Sequence, residues 1–411
     1  MKFGGTSMAT PDRIRRAAAI IAAEAAVGKS LAVVVSAMAG KTNELVAWSD
    51  VLGAAAQGAP ASDDEYDVVV ASGEQVTSGL LAIALRNMGL RARSWLGWQI
   101  PILTDDSHGK ARIVDIPGDR LGQAIDAGEV AVIPGFQGVT RDGRLTTLGR
   151  GGSDTSAVAV AAALKAACDI YTDVDGVYTT DPRIERKARR LPRIAYEEML
   201  EFASMGAKVM QSRSIELAMA YKVPVRVLSS FNEKPPEAGQ GTLICEEETD
   251  VEQRIVSGIA LSRDEAKVTL LGTPDRVGVA ADIFSRLADA RLNVDMIIQS
   301  PAMTAGAANL VFTVGRRDAA AAEKLMRDAQ SAIGFKEIAL DTDVAKVSVI
   351  GVGMRSHAGV AGTMFKALAD KGIAMQAVST SEIKISVLVE AGRGEEAVRV
   401  LHAAYGLEEA A

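Results

Sequence analysis

The feature that most constrains this chain is a repeat in its C-terminal third. Gly278-Val279-Ala280, Phe284 and Leu287-Ala288-Asp289 return 81 residues later as Gly359-Val360-Ala361, Phe365 and Leu368-Ala369-Asp370. Each copy reads strand, glycine-containing loop, helix, strand, strand, helix, and a period of this kind has to be recognised before any motif is trusted. A unit that small buries little apolar surface alone, so two copies side by side are expected to complete each other's core. Such a pair serves either as a purely structural dimerisation unit or as a ligand-binding module.

The first half has another rhythm. Short β-branched runs alternate with Ala-rich stretches, which points to an α/β layer structure on a largely parallel sheet. Strands are expected at residues 31–36, 68–71, 130–134, 169–172 and 223–228. Thr10 followed by Pro11 reads as an N-cap and first helical position, with Ile14, Ala17, Ala18, Ile21 and Ala25 recurring at helical spacing. Asn232 to Gly239 is turn-rich and Glu246 to Glu252 is acidic. The boundary is expected just after them, giving domains at 1–254, 255–341 and 342–411.

Composition narrows the function. Forty-five Lys and Arg against 52 Asp and Glu leave a net charge of -7, so no basic field exists to hold nucleic acid or an anionic membrane. Cys168 and Cys245 are too few for a disulfide framework, and His108, His357 and His402 are too scattered for a zinc site. No apolar run is expected to reach the roughly 18 residues of a membrane span, and the start lacks a signal-peptide pattern. A soluble cytoplasmic protein is the expectation.

Two nucleotide motifs fail. Gly40-Lys41-Thr42 ends like a Walker A loop, but Val35 stands where its first glycine belongs. The run from Gly149 to Asp154 starts like a dinucleotide fingerprint and ends on Asp154 rather than glycine. What remains is a series of small-residue turns, most of them expected at the carboxyl ends of strands, where open α/β sheets place ligands. Lys2-Phe3-Gly4-Gly5-Thr6-Ser7 offers a cation and two glycines ahead of a helix, as a phosphate nest does, or is only a turn. Ser36 closes a strand before Gly40-Lys41-Thr42, and Ser72-Gly73-Glu74 is expected to follow the next strand, where Glu74 either binds or caps a helix. Thr146 to Asp154 sets Arg150 among glycines, its planar fork suited to a carboxylate or phosphate, while Ser153 either binds or caps. Thr172-Asp173-Val174-Asp175-Gly176-Val177-Tyr178, continuing to Arg183, is expected to form a hairpin with a type I′ turn at Asp175-Gly176. Gly206-Ala207-Lys208 sits in a helical stretch.

These segments taken in order, KFGGTS, SAMAGKTNEL, SGEQ, TTLGRGGSDTSA, TDVDGVYTTDP, GAKVM and STSEIKISVLV after two repeats, closely resemble the aspartate kinases of the amino acid kinase family. The resemblance implies a mostly parallel sheet sandwiched by helices, then two α+β ACT (βαββαβ) domains. It implies transfer of the ATP γ-phosphoryl group to the side-chain carboxylate of L-aspartate, with Mg²⁺ carried on ATP rather than in a protein cage. By motif position, Lys2 holds the transferring phosphate, Gly4 and Gly5 line it, and Ser36 takes a phosphate oxygen. Glu74 receives the substrate ammonium and Arg150 the α-carboxylate, Thr42 and Ser153 add contacts, and Asp154 orients the lysine. Thr172, Asp173, Tyr178, Arg183 and Lys208 match nucleotide-binding positions. Lysine, threonine or both are the implied effectors, with contacts at Asn293, Asp295 and Gln299 in the first repeat and Gly359, Val360, Ser381 and Glu382 in the second. A homo-oligomer through the ACT domains is implied too. The chain departs from the family at Met1, directly before Lys2, which shortens the first strand, and at Val277, Ala307-Ala308-Asn309, Ala358 and Ala374 in the repeats. The rivals are another amino acid kinase, acting on glutamate, acetylglutamate or a nucleotide, and a catalytically silent amino acid sensor.

Overall fold

The computed structural model describes every residue except 54–62, 101, 206–208, 233–238, 248–254, 303–305, 353, 355, 356, 358 and 409–411, together with the side chain of Asp63. The chain divides into two units, Met1–Val177 with Arg190–Thr249 and Tyr178–Arg189 with Asp250–Ala411. The expected boundary after residue 254 therefore has an exception, because the segment 178–189 packs with the later unit.

In the first unit the elements run β1 (Lys2–Phe3), α1 (Pro11–Ala26), β2 (Ala32–Val35), α2 (Lys41–Gly53), α3 (Asp63–Asn87), β3 (Ala92–Ser94), β4 (Leu103–Thr104) and β5 (Ile113–Asp115). They continue α4 (Asp119–Asp126), β6 (Val130–Pro134), β7 (Gln137–Val139), β8 (Leu145–Thr147), α5 (Gly152–Ala163), β9 (Cys168–Thr172), β10 (Arg193–Ala195), α6 (Tyr196–Ser204), α7 (Ser212–Tyr221), β11 (Val225–Ser229) and β12 (Thr242–Cys245). The main sheet has the order β10-β12-β11-β9-β1-β2-β6-β3, with only the β11–β12 pair antiparallel. Helix α1 starts as expected: Thr10 accepts the Arg13 N–H at 3.3 Å, and Ile14, Ala17, Ala18 and Ile21 pack on Phe3, Val33 and Val35. A second sheet, β5-β4-β7-β8, leads into α5.

Residues 68–71 are helical, not a strand, and this moves Ser72, Gly73 and Glu74 from a post-strand turn to the middle of α3. The β-branched run suggested a strand locally, but Asp67, Val70, Ala71, Glu74, Ser78, Leu81 and Leu85 are buried at helical spacing, so packing of one face overrides propensity. By length and composition this helix could cross a membrane, which the sequence reading did not anticipate, yet half of its most apolar window is buried inside the protein. The type I′ hairpin at Asp175-Gly176 is also absent: residues 173–176 form a bend, and Leu191 N–H donates to Val177 O at 2.8 Å beyond it. Gly176 is needed for another reason, since a Cβ there would lie 2.6 Å from Thr242 Oγ1.

In the second unit the first repeat is β14 (Ala266–Pro274), α8 (Val279–Asp289), β15 (Val294–Pro301), β16 (Ala307–Val314), α9 (Ala319–Ile333) and β17 (Glu337–Asp341), a βαββαβ unit with sheet order β15-β16-β14-β17. The second is β18 (Val344–Ile350), α10 (Val360–Asp370), β19 (Ala377–Thr380), β20 (Lys384–Glu390) and α11 (Gly394–Ala404). Its remaining strand comes from ahead of the first repeat: β13 (Gly258–Ser262) pairs antiparallel with β18. The two repeats are thus interleaved rather than consecutive. The segment 178–189 joins this unit through Ile259 N–H to Thr179 O at 2.7 Å and a 2.9 Å hydrogen bond between Thr179 Oγ1 and His402 Nε2.

Candidate active site

The sheet puts β9, β1, β2 and β6 side by side, so four loops leave their carboxyl ends together. After β1 the chain turns at once: Gly4 N–H donates to Tyr171 O at 3.0 Å. The turn is closely packed: a Cβ on Gly4 would lie 3.4 Å from Lys2 Nζ, an ordinary contact, and one on Gly5 would lie 3.2 Å from Ala37 O, a tight one. Lys2 is only 7% exposed and its Nζ lies 2.6 Å from Asp154 Oδ1. Asp154 occupies the first turn of α5, where the helix dipole favours a carboxylate.

After β2 come Ser36, whose N–H donates to Phe3 O at 3.0 Å, and Ala37, whose N–H donates to Glu74 Oε1 at 3.1 Å. Glu74 is 3% exposed, and its other oxygen, Oε2, is buried without a hydrogen-bond partner among the described residues. Burial pushes its carboxyl up from 4.5 to about 7, against the lowering effect of the Ala37 N–H. Such a group is poised to receive a cation. Thr42 lies in the first turn of α2, half-buried, just after Gly40 with φ +84°.

The Arg150 loop joins β8 to α5. Gly149 and Gly151 both have positive φ, 76° and 71°, and a Cβ on Gly151 would come within 1.8 Å of Gln211 Cγ. Arg150 is exposed, with no hydrogen bond or ion pair to any described residue. Ser153 is buried in the first turn of α5 rather than capping it, since Gly151 holds the cap position, and packs against Gly135 after β6. Thr172 ends β9 and donates to Asp173 Oδ1 at 3.1 Å.

The unit thus gathers Lys2, Gly4, Gly5, Ser36, Thr42, Glu74, Arg150, Ser153, Asp154, Thr172 and Asp173 on the loops and helix starts around the carboxyl end of the sheet, with Glu74 reaching in from α3. Tyr178 and Arg183 belong to the second unit, where Arg183 is committed to Asp181 at 2.7 Å. Lys208 lies outside the described residues. Sequence reasoning missed several groups that shape the site: Asp67, His108, and Arg213, whose guanidinium donates to Leu148 O and Ala111 O, both at 2.8 Å. Nothing local announces them, because their partners lie tens of residues away.

A cavity of about 900 Å³ opens at the other end of the sheet, between Met1, Leu31, Ala32, Cys168 and Pro224. It lies at the amino ends of the strands and holds none of these groups.

Among the expected effector residues, Gln299 on β15 lines a cavity of about 80 Å³ with Thr273, Arg276, Gly278 and Val279. Asp295 is exposed but already paired to the buried Lys346 at 2.7 Å, which holds its carboxyl below the usual range against partial desolvation. Asn293 precedes β15 and is exposed. Gly359, φ +106°, caps α10 ahead of Val360, and Ser381 and Glu382 form the β19–β20 turn, where Lys384 N–H donates to Ser381 Oγ at 3.2 Å. Gly278 is the counterpart of Gly359 in the first repeat, and the repeat itself was the signal that could have pointed to it.

Comparison with known proteins shows the family. The amino acid kinase family profile matches residues 1–229, and ACT domain profiles match residues 267–329 and 347–405. The chain is 50% identical over 409 residues to an aspartate kinase of Pseudomonas fluorescens, covering 99% of this chain and 97% of that one. It is 43% identical over 410 residues to an aspartokinase of Mycobacterium tuberculosis, covering 99% and 95%. Its fold matches the crystal structure of E. coli aspartokinase III in complex with aspartate and ADP with a TM-score of 0.79 at 27% identity, over 98% of each chain. The lysine- and aspartate-bound T-state of the same enzyme matches with a TM-score of 0.74 at 28% identity, again over 98% of each. On this fold, these ordered loops and this full-length similarity, the chain belongs to the amino acid kinase family, among its aspartate kinases with paired ACT domains.

Proposed function

We propose that this chain transfers the γ-phosphoryl group of ATP to the side-chain carboxylate of L-aspartate, giving 4-phospho-L-aspartate, under control of an amino acid bound to its ACT domains. The observation that carries the reading is a pair of uncommitted opposite charges, the buried Glu74 Oε2 and the exposed Arg150 guanidinium. A free α-amino acid presents the complement: its ammonium suits Glu74 and its α-carboxylate suits the fork of Arg150. Held at both ends, aspartate points its remaining carboxylate away as the nucleophile. That carboxylate is ionised at neutral pH and needs no general base, so the task is to bring two anions together.

Lys2 supplies the charge. Its ion pair with Asp154 fixes Nζ beside the Gly4-Gly5 turn. Lys2 and the start of α5 would stabilise charge as it shifts from the γ-phosphate to the leaving ADP. Ser36, Thr42 and Ser153 add polar contacts, and Thr172, Asp173, Tyr178, Arg183 and Lys208 are assigned to the nucleotide. The described residues include no cluster of three acidic, His or Cys side chains able to hold a metal; Mg²⁺ is assigned to the ATP phosphates, where it would neutralise their charge. Lysine, threonine or both are the proposed effectors at Asn293, Asp295, Gln299, Gly359, Val360, Ser381 and Glu382, and the lysine complex of E. coli aspartokinase III supports lysine. A homo-oligomer through the ACT domains and a cytoplasmic setting, fitting two free cysteines, complete the proposal.

The test is trapping with hydroxylamine in the presence of ATP and each candidate acceptor. Aspartyl hydroxamate should form with L-aspartate and nothing comparable with glutamate or acetylglutamate. Turnover of acetylglutamate without aspartate turnover would refute the assignment, and binding of amino acids without any turnover would favour a sensor.

A further inference from the structure

Asp67 is fully buried, and the mechanism above does not use it. Its carboxylate is nonetheless saturated. It accepts from Thr147 Oγ1, from Gly109 N–H at 3.1 Å to each oxygen, and from His108 Nδ1 at 2.8 Å. Asp67 lies seven residues before Glu74 on α3, two helical turns away on the same buried face.

What it grips is the root of the Arg150 loop. Thr147 is the last residue of β8, three residues before Arg150, and its carbonyl accepts from Ala111 N–H at 2.9 Å. Gly149 lies against the Gly109 carbonyl, which a Cβ there would approach to 3.3 Å. From the other side Arg213 holds the Leu148 and Ala111 carbonyls, and Leu148 N–H donates to Phe136 O at 2.8 Å. The backbone from 147 to 149 is pinned on both flanks, whereas the Arg150 side chain has no anchor of its own among the described residues. Its placement therefore depends on that backbone.

We propose that Asp67 is a positioning residue for aspartate recognition. It ties the loop bearing Arg150 to the helix bearing Glu74, so that one rigid element sets the separation between the two arms that grip the α-amino acid. His108 and Gly109 extend the tie as a brace along Gly149. The inference rests on the reading of Glu74 and Arg150 as that grip, and it identifies what fixes their spacing.

The experiment compares Asp67→Asn, Thr147→Val, Thr147→Ser and Arg150→Ala by initial rates with aspartate and ATP varied separately, with thermal unfolding recorded for each. Asp67→Asn should raise KM for aspartate about tenfold or more while KM for ATP stays within about twofold. Thr147→Val, which deletes the hydroxyl at constant shape, should move KM for aspartate in the same direction even if Asp67→Asn folds poorly. Thr147→Ser should restore it. A lowered Tm with unchanged KM for aspartate in both Asp67→Asn and Thr147→Val would overturn the inference and leave Asp67 a structural staple. So would a parallel rise in both KM values. If Arg150→Ala itself left KM for aspartate unchanged, the grip would fall and this inference with it; if only Arg150→Ala raised it, the positioning role alone would fall.

Discussion

Glu74→Gln separates stability from substrate binding through one buried oxygen. Oε2 has no hydrogen-bond partner among the described residues, and the carboxyl is pushed up from 4.5 to about 7. A rise of that size corresponds to about 3 kcal/mol of destabilisation of the charged form. The sign follows from linkage. A carboxyl whose folded pKa lies above its unfolded value leaves stability intact below about 4.5, and stability is lost as pH rises toward and through about 7. Glutamine carries no charge to desolvate, so the variant should match the parent near pH 4.5 and exceed its unfolding free energy by up to about 3 kcal/mol near pH 8. The same change deprives the substrate ammonium of its counter-ion, which should raise KM for aspartate roughly 10- to 100-fold. In the parent enzyme, aspartate affinity should improve as pH climbs from 6 toward 8, because only the ionised carboxylate attracts the ammonium. Urea unfolding at several pH values together with initial rates would check both limbs. Equal stabilities of parent and variant at pH 8, or an unchanged KM for aspartate, would refute the reasoning.

Other outcomes follow from the same geometry. Lys2→Met should cut kcat by about 10² to 10³-fold in initial-rate assays, because it removes the cation facing the transferring phosphate. Gly241→Ala places a Cβ 2.2 Å from Val227 O at φ +83°, and should cost about 3 kcal/mol or more in denaturant unfolding. Lys346→Met strands the buried Glu265 carboxylate, now 2.6 Å from Lys346 Nζ, and should destabilise by about 3 kcal/mol while releasing Asp295; a calorimetric scan measures it. Ser381→Phe should weaken feedback by lysine or threonine about tenfold, read as the half-inhibitory concentration, with kcat within about twofold of the parent.

Where the sequence was legible, the signal was local. The Thr10-Pro11 cap, the β-branched run at 130–134 and the glycines around Arg150 each determine their own backbone, and the structure has α1, β6 and the positive-φ loop there. The run at 68–71 misled because β-propensity is a local preference, whereas α3 is decided by a buried face spanning about five turns, from Asp67 to Leu85. Gly176 misled likewise: the Asp-Gly pair reads as a tight turn, but its constraint is the distant Thr242. The interleaving of β13 with β18, and the grip of Asp67 on Thr147, join residues about 80 or more apart. Only the folded chain brings those together, so no window of sequence could display them.

The central claim is that opposite charges on α3 and on the β8–α5 loop hold aspartate while Lys2 meets the phosphate. A crystal structure with L-aspartate and a non-hydrolysable ATP analogue tests it most directly. The account predicts the α-ammonium on Glu74, the α-carboxylate on Arg150, and Lys2 Nζ against the γ-phosphate with the aspartate side chain in line. An amino acid bound with its ammonium away from Glu74, or a terminal phosphate remote from Lys2, would contradict it.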